Sequence, residues 1–224
     1  MKKLALSVLI SIFCITARGQ LSDRYGLRIG GGYSSIHLVY NNGLPLELSG
    51  WKQNKAGLSI YLYTDNDLYP FLSIRSEIGY IQKGFSDDIV FVTTNPEQIN
   101  TDNKTVTLHD LSTDIEFRIK PFDWKLRPYL TVGWRLDYMF AYKDYVIDLA
   151  GQKLSLFKSL IDEFNKITVS GLLGMGFEFR ELVCLDFEYN PGISRIIKRS
   201  GLSGRDRYFG FSAGINVSSF IKKK

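Results

Sequence analysis

After residue 24 the chain runs through segments of about ten or more residues in which apolar and polar side chains alternate between turns, and this alternation limits the possible folds more than any other feature. In Thr105 to Lys120 the odd positions Leu111, Thr113, Ile115, Phe117 and Ile119 face one way. The even positions Asp110, Ser112, Asp114, Glu116 and Arg118 face the other. A period of two is that of a strand with one apolar and one charged face. A soluble sheet turns its apolar face to a core, whereas strands that follow an export signal and carry flanking aromatics suit a barrel that is apolar outside and polar inside.

The export signal is read at Met1 to Gln20. Lys2 and Lys3 give the positive start, Leu4 to Thr16 the apolar stretch, and Ala17-Arg18-Gly19 a small-x-small cleavage site. The predicted organisation is therefore a signal peptide at 1–19 and one barrel domain at 20–224. A membrane-spanning helix needs roughly 20 apolar residues, and no later stretch reaches that length without charge, so a membrane location requires a closed barrel. Cys14 does not suit lipoprotein processing, because bulky Phe13 precedes it where a small residue is wanted.

Of the formal net charge of +5, Lys2, Lys3 and Arg18 contribute three and no acid precedes Asp23, so residues 20–224 carry +2. That balance argues against a nucleic-acid partner. Removal of the signal leaves Cys184 as the one cysteine, which has no partner for an intramolecular disulfide. No Cys/His cluster is spaced for zinc, and neither a metal nor a cofactor is expected.

The alternation predicts strands at Tyr25 to Val39, Ala56 to Thr64, Phe71 to Lys83, Thr105 to Lys120, Pro128 to Tyr142, Ile167 to Arg180, Leu182 to Arg195 and Arg207 to Ser219. The expected fold is all-β, an eight-stranded antiparallel up-and-down transmembrane barrel in the outer membrane of a Gram-negative bacterium. Connections at Asp65 to Pro70, Pro121 to Arg127 and Arg180-Glu181 are short. Those at Tyr40 to Lys55, Gly84 to Lys104, Lys143 to Lys166 and Ile196 to Asp206 are long, which assigns the short turns and both termini to the periplasm. In the first strand Ile36 and Leu38 share the parity of Arg28 and Ser34, which predicts a bulge or a rise above the membrane. Tyr69, Phe71, Phe122, Trp124, Tyr129 and Phe179 on the short-turn side, and Tyr138, Phe140 and Tyr142 on the other, read as interfacial girdles.

Within the third long loop, Leu154, Phe157, Leu160, Ile161 and Phe164 recur at helical spacing against Lys153, Lys158, Asp162 and Glu163. They predict a short amphipathic helix over the barrel mouth, packed on neighbouring loops or offered to a partner. Ile89-Val90-Phe91-Val92 reads as strand extension above the membrane.

Four short motifs resemble the PorT-like outer-membrane barrels of Bacteroidota. They are Glu77-Ile-Gly-Tyr80-Ile-Gln82-Lys83-Gly84, Arg127-Pro128-Tyr129-Leu130-Thr-Val-Gly133, Asp186-Phe-Glu-Tyr189-Asn190-Pro-Gly192-Ile193, and the closing Phe209-Gly-Phe-Ser-Ala-Gly-Ile-Asn-Val. The fourth strand departs from the family, which usually carries an apolar Glu-Ile-Pro stretch where this chain has Ser112-Thr113-Asp114-Ile115-Glu116. The resemblance implies an integral outer-membrane protein and, for the founding member, a part in assembling a gliding-linked secretion system.

The most concentrated chemistry is an inward set: Arg75, Glu77, Asp114, Glu116, Arg118, Arg135, Asp137, Glu178, Asp186 and Glu188. In a barrel of about eight strands the interior is just filled by side chains, so these charges are expected to form an ion-pair plug rather than a pore. The expected function is non-enzymatic, acting through extracellular loops in interaction or in secretion-system or envelope assembly. Expected partners are outer-membrane lipid, the barrel-insertion machinery during assembly (Tyr208-x-Gly210 with Ala213 and Ile215 resembles a terminal insertion signal), and an extracellular or periplasmic protein. Two alternatives stand beside it. A lipid hydrolase would need His37 or His109 beside Ser35 or Ser112, though no Gly-x-Ser-x-Gly elbow occurs. A lipocalin-like ligand-holding barrel would need the opposite parity, with the apolar face inward.

Overall fold

The computed structural model describes residues 24–40, 50, 51, 53–86, 99–103, 105–149, 152–199 and 202–221. The export segment and Ile89–Val92 lie outside these residues. Alternating sequence becomes strand throughout: β1 (Arg24–Tyr40), β2 (Gly50–Trp51), β3 (Lys55–Tyr69), β4 (Leu72–Ser86), β5 (Ile99–Asn103), β6 (Thr105–Ile119), β7 (Leu126–Lys143), β8 (Val146–Leu149), β9 (Gln152–Ser155), β10 (Ile167–Phe179), β11 (Val183–Pro191), β12 (Ile197–Arg199) and β13 (Leu202–Asn216). Two short helices, α1 (Lys158–Asp162) and α2 (Ser218–Ile221), complete the described elements.

Among the described residues, eight long strands pair antiparallel in the order β13-β11-β10-β7-β6-β4-β3-β1, and β13 pairs again with β1 to close the sheet. Closure leaves no unpaired edge, which lets a sheet sit in hydrocarbon. The short turns after β3, β6 and β10 share one end with both termini of the described chain.

Parity decides which face is inside. Ile29 is 54% exposed, Leu58 64%, Leu62 62% and Met175 57%, while Arg118, Arg135 and Asp114 are 0% exposed. The apolar face points out and the charged face points in, opposite to what a ligand-holding soluble barrel requires. An outward belt of aliphatic and aromatic side chains around a charged interior is stable only with lipid against it, and the protein is an outer-membrane barrel. No described helix is long and apolar enough to cross a membrane.

Of the two readings of Ile36 and Leu38 the bulge is absent: alternation in β1 runs unbroken, with no register shift against β3 or β13, and both side chains point inward at the extracellular end among residues of the loops. Two details differ from expectation. The bulge lies in β7, where His109 pairs with Ala141 and Asp110 with Met139, leaving Phe140 as the extra residue. The last strand begins at Leu202, five residues before Arg207, and β12 pairs with it inside what reads as a loop.

The β10–β11 turn is tight. Arg180 (φ 48°) and Glu181 (φ 59°) are both left-handed, and the Leu182 N–H donates to the Phe179 carbonyl at 3.0 Å. Left-handed backbone costs about 1–2 kcal/mol per L-residue and is least unfavourable for Gly, Asn and Asp. Glu181 is tied to Arg127 at 2.6 Å, so the freer position is Arg180. Arg180→Asn is expected to stabilise the barrel by about 0.5–1 kcal/mol, read as a higher urea midpoint in the heat-modifiable gel shift; an unchanged or lower midpoint contradicts it.

Candidate functional site

Because every second residue of eight strands faces inward, the interior is built as stacked rings. Nearest the short turns, Arg24 bonds Asp67 at 2.6 Å and Glu178 at 3.1 Å, and Lys120 reaches Glu178 at 3.2 Å. In the next ring Arg75 grips Asp65 with two bonds of 2.6 and 2.8 Å, while Arg118 donates to Asp186 at 2.9 Å. Tyr129 donates to the same carboxylate at 2.5 Å. The central ring joins Arg28 to Glu77, with Glu188 at 3.3 Å. There Arg135 forks onto Asp114 at 2.8 and 2.5 Å and also reaches Asn190 at 2.7 Å and Glu188 at 3.2 Å. In the ring nearest the extracellular mouth, Lys83 bonds Asp137 at 2.5 Å and Asp206 at 3.1 Å, with Asp110 beside them.

Buried guanidinium needs planar partners, since it is weakly hydrated and stacks well on aromatic faces. Arg75 lies 3.9 Å from the ring of Tyr63, Arg118 3.7 Å from that of Tyr129, and Arg28 4.7 Å from that of Tyr61. Each of these tyrosines sits opposite a glycine on the adjoining strand: Tyr63 against Gly26, Tyr129 against Gly176 and Tyr61 against Gly79. A Cβ on any of the three glycines would stand 2.5 Å from the facing ring.

All ten inward residues named from the sequence line this interior, and nine of them fall into these rings as partners of the ion pairs above. The tenth, Glu116, is 2% exposed and opposite Arg75 in the β4–β6 pairing. The ten leave out Arg24, Arg28, Asp65, Lys83, Lys120, Asn190 and Asp206 and the tyrosine set, and also Asp110, although the alternation of Thr105 to Lys120 places it on the polar face with Asp114. Parity alone would have found most of them. Tyr129 is the plainest correction, being 2% exposed and inside the barrel rather than in a girdle. Tyr69, Phe71, Phe122, Trp124 and Phe179 are exposed at the short-turn end and Tyr138 and Phe140 at the other; Tyr142 is half-buried, donating to Asp162 at 3.0 Å.

Above the charged rings the inward face turns apolar. Ile36, Leu38, Phe85, Val106, Leu108 and Leu202 from the strand ends meet Tyr145, Ile161, Phe164, Ile196 and Ile197 from the loops in one buried cluster. This lid stands in water, where burying an Ile, Leu or Phe contributes roughly 1.5–3 kcal/mol. Its outer layer is cross-connected, because β5 from the second long loop pairs with β8 from the third, which pairs with β9. The predicted loop helix is α1, shorter than its pattern. Ile161 and Phe164 are buried, and Phe157 and Leu160 pack against the cluster. Leu154 does not join them: it lies on β9, paired with Ile147, and is 44% exposed.

His109 is not placed to serve Ser112 as a base. His109 faces outward, 2.6 Å from the Tyr80 hydroxyl, whereas Ser112 faces inward and donates to Asp114 at 3.3 Å. Ser35 accepts from Arg207 at 2.9 Å, and His37 stands opposite Arg205 and Trp51. Among the described residues, Glu77, Asp114 and Glu116 are the group whose carboxylates lie within 4.8 Å of one another. Arg28 and Arg135 already bind two of the three.

No protein-family model matches the sequence, and no curated protein matches it either. Among solved structures the fold is similar to Ail, the attachment invasion locus protein of Yersinia pestis, at 12% identity over 87% of this chain and 100% of that one, with a TM-score of 0.39. It is similar to Neisserial surface protein A at 14% identity over 85% and 96%, TM-score 0.41. The outer membrane protein OprG of Pseudomonas aeruginosa aligns at 11% identity over 87% and 97%, TM-score 0.39.

Proposed function

We propose that this barrel is a plugged, non-enzymatic scaffold that holds a preformed protein-binding platform at the outer surface, serving envelope or secretion-system assembly as its PorT-like motifs imply. The observation that carries this reading is the lid. Strand ends from β1, β4, β6 and β13 join residues of the third and fourth long connections around one apolar cluster, and a sheet is laid across loops from different hairpins. A loop set ordered in advance does not lose its conformational entropy again on binding, which favours recognition of a protein surface. The charged rings fill the barrel below, so its activity lies at the mouth rather than along a conduit. During biogenesis the partner is the barrel-insertion machinery, reading β13.

Leu154, half-exposed on the outer sheet, marks the platform. A photo-crosslinking residue at Leu154 in intact cells is expected to give one discrete protein adduct, while the same residue at lipid-facing Leu62 gives lipid adducts alone. Identical lipid-only patterns at both positions would remove the platform reading.

A further inference from the structure

We propose that the cavity between the Lys83 ring and the apolar lid binds one divalent hard cation, ligated by Asp110 and Asp206. The cavity is lined by Ser34, Lys83, Asp110, Asn165, Thr168 and Asp206, with aliphatic residues of the lid above them. Asp110 is 5% exposed and Asp206 6%, and the Oδ1 atom of each is buried with no hydrogen-bond partner. Asp137 Oδ1 is orphaned in the same way. Buried carboxylate oxygens in native proteins are nearly always satisfied, so three orphans in one ring ask for a missing positive partner.

The charges say how large that partner is. Three carboxylates share one ammonium, and Lys83 spends its close contacts on Asp137 and Asp206. With all three carboxylates ionised the ring would lack two positive charges, and a single divalent ion supplies both. The lining also offers neutral oxygen. The Ser34 hydroxyl donates to the Gly84 carbonyl at 3.0 Å, leaving its lone pairs available, and the Asn165 amide nitrogen donates to the Arg195 carbonyl at 2.7 Å, leaving its carbonyl oxygen available. An all-oxygen set of mixed carboxylates, hydroxyl and amide selects a hard cation, and its irregular geometry suits calcium better than magnesium, which demands a near-ideal octahedron. The central group of Glu77, Asp114 and Glu116 is the weaker site, because two guanidiniums already bind two of its three carboxylates, whereas the three carboxylates of the Lys83 ring share one ammonium. An ion under the lid would tie β6 to β13 across the mouth and fix the floor on which the loops pack.

The test uses the full chain in detergent, stripped with EDTA and titrated with calcium chloride or magnesium chloride at neutral pH. Calorimetry is expected to show saturable binding of one calcium per chain, tighter than magnesium, and the unfolding temperature in the gel-shift assay should rise on saturation. Asp110→Asn and Asp206→Asn are each expected to abolish the rise, whereas Asp123→Asn, exposed at the opposite end, retains it. Absence of saturable calcium binding by the wild-type chain overturns the proposal whatever the variants do. Binding that survives both aspartate substitutions but disappears with Glu77→Gln also overturns it, by placing the ion in the central ring.

Discussion

Barrels carrying Arg135→Met will unfold at markedly lower urea than the parent, with a loss of about 3–5 kcal/mol in unfolding free energy. Arg135 is wholly buried and holds three partners at once: Asp114 through a two-pronged contact, Glu188 and Asn190. Methionine fills much of the volume but strips Asp114 of its two-pronged partner and leaves Glu188 with Arg28 alone, both facing the remaining acids of the central ring. The cost is therefore that of stranded buried charge rather than of lost packing. Two further variants separate these causes. Arg135→Lys keeps the charge but loses the planar fork and is expected to fall between parent and Met. Adding Asp114→Asn and Glu188→Gln to Arg135→Met removes the stranded charges and should recover much of the loss, a strongly non-additive result. A single Arg135→Met variant within about 0.5 kcal/mol of the parent would show that the ring does not hold the barrel.

The outer face explains why the inner one carries such weight. Once the barrel is inserted, its aliphatic belt contacts lipid tails as apolar as itself, so burying that belt drives insertion and not strand-to-strand cohesion. Cohesion is left to the backbone ladder and to whatever crosses the lumen. Here that is a set of guanidinium–carboxylate–tyrosine contacts, in which each arginine touches residues of at least two other strands. Above the membrane, where water returns, the chain switches to an ordinary apolar core in the lid. One β1 strand shows both regimes along a single parity, from Arg24 and Arg28 through Ser34 to Ile36 and Leu38.

That switch also marks where the sequence stops being legible. The barrel and its turns are readable because inward positions such as Asp114, Glu116 and Arg118 have no apolar member to blur the period. Which face is inside is not readable from period alone, since a soluble ligand-binding barrel has the same alternation with the opposite sign. Ile36 and Leu38 look like an irregularity because sequence carries no sign of the height at which the lumen ends and the lid begins. Tyr129 was legible and misread: it shares the parity of Thr131, Arg135 and Asp137, and a preference for aromatics in girdles outweighed that parity. Leu154 fits helical spacing with Phe157 and Ile161, yet the β8–β9 hairpin claims it first, because pairing with Ile147 is a long-range choice that local spacing does not encode. Asp206 was hidden for a related reason, its strand being extended by pairing with β1 well above the belt.

Gly79→Ala tests the same logic from the backbone side, and we expect it to cost about 2–3 kcal/mol. Gly79 faces the lumen on β4, directly opposite Tyr61 on β3. A Cβ there would overlap the Ile60 carbonyl oxygen and stand 2.5 Å from Tyr61 Cδ1. The ring can tilt away, but the carbonyl belongs to the β3–β4 ladder and yields only if the strands part. Tyr61 in turn lies under the guanidinium of Arg28, so moving the ring also disturbs the central ion pairs. Combining Gly79→Ala with Tyr61→Ala relieves the side-chain clash and leaves the carbonyl clash in place, so only partial recovery is expected, and the residual loss measures the backbone share. A Gly79→Ala barrel with an unchanged urea midpoint would mean that the strands are looser at this register than the close fit of Tyr61 over Gly79 requires.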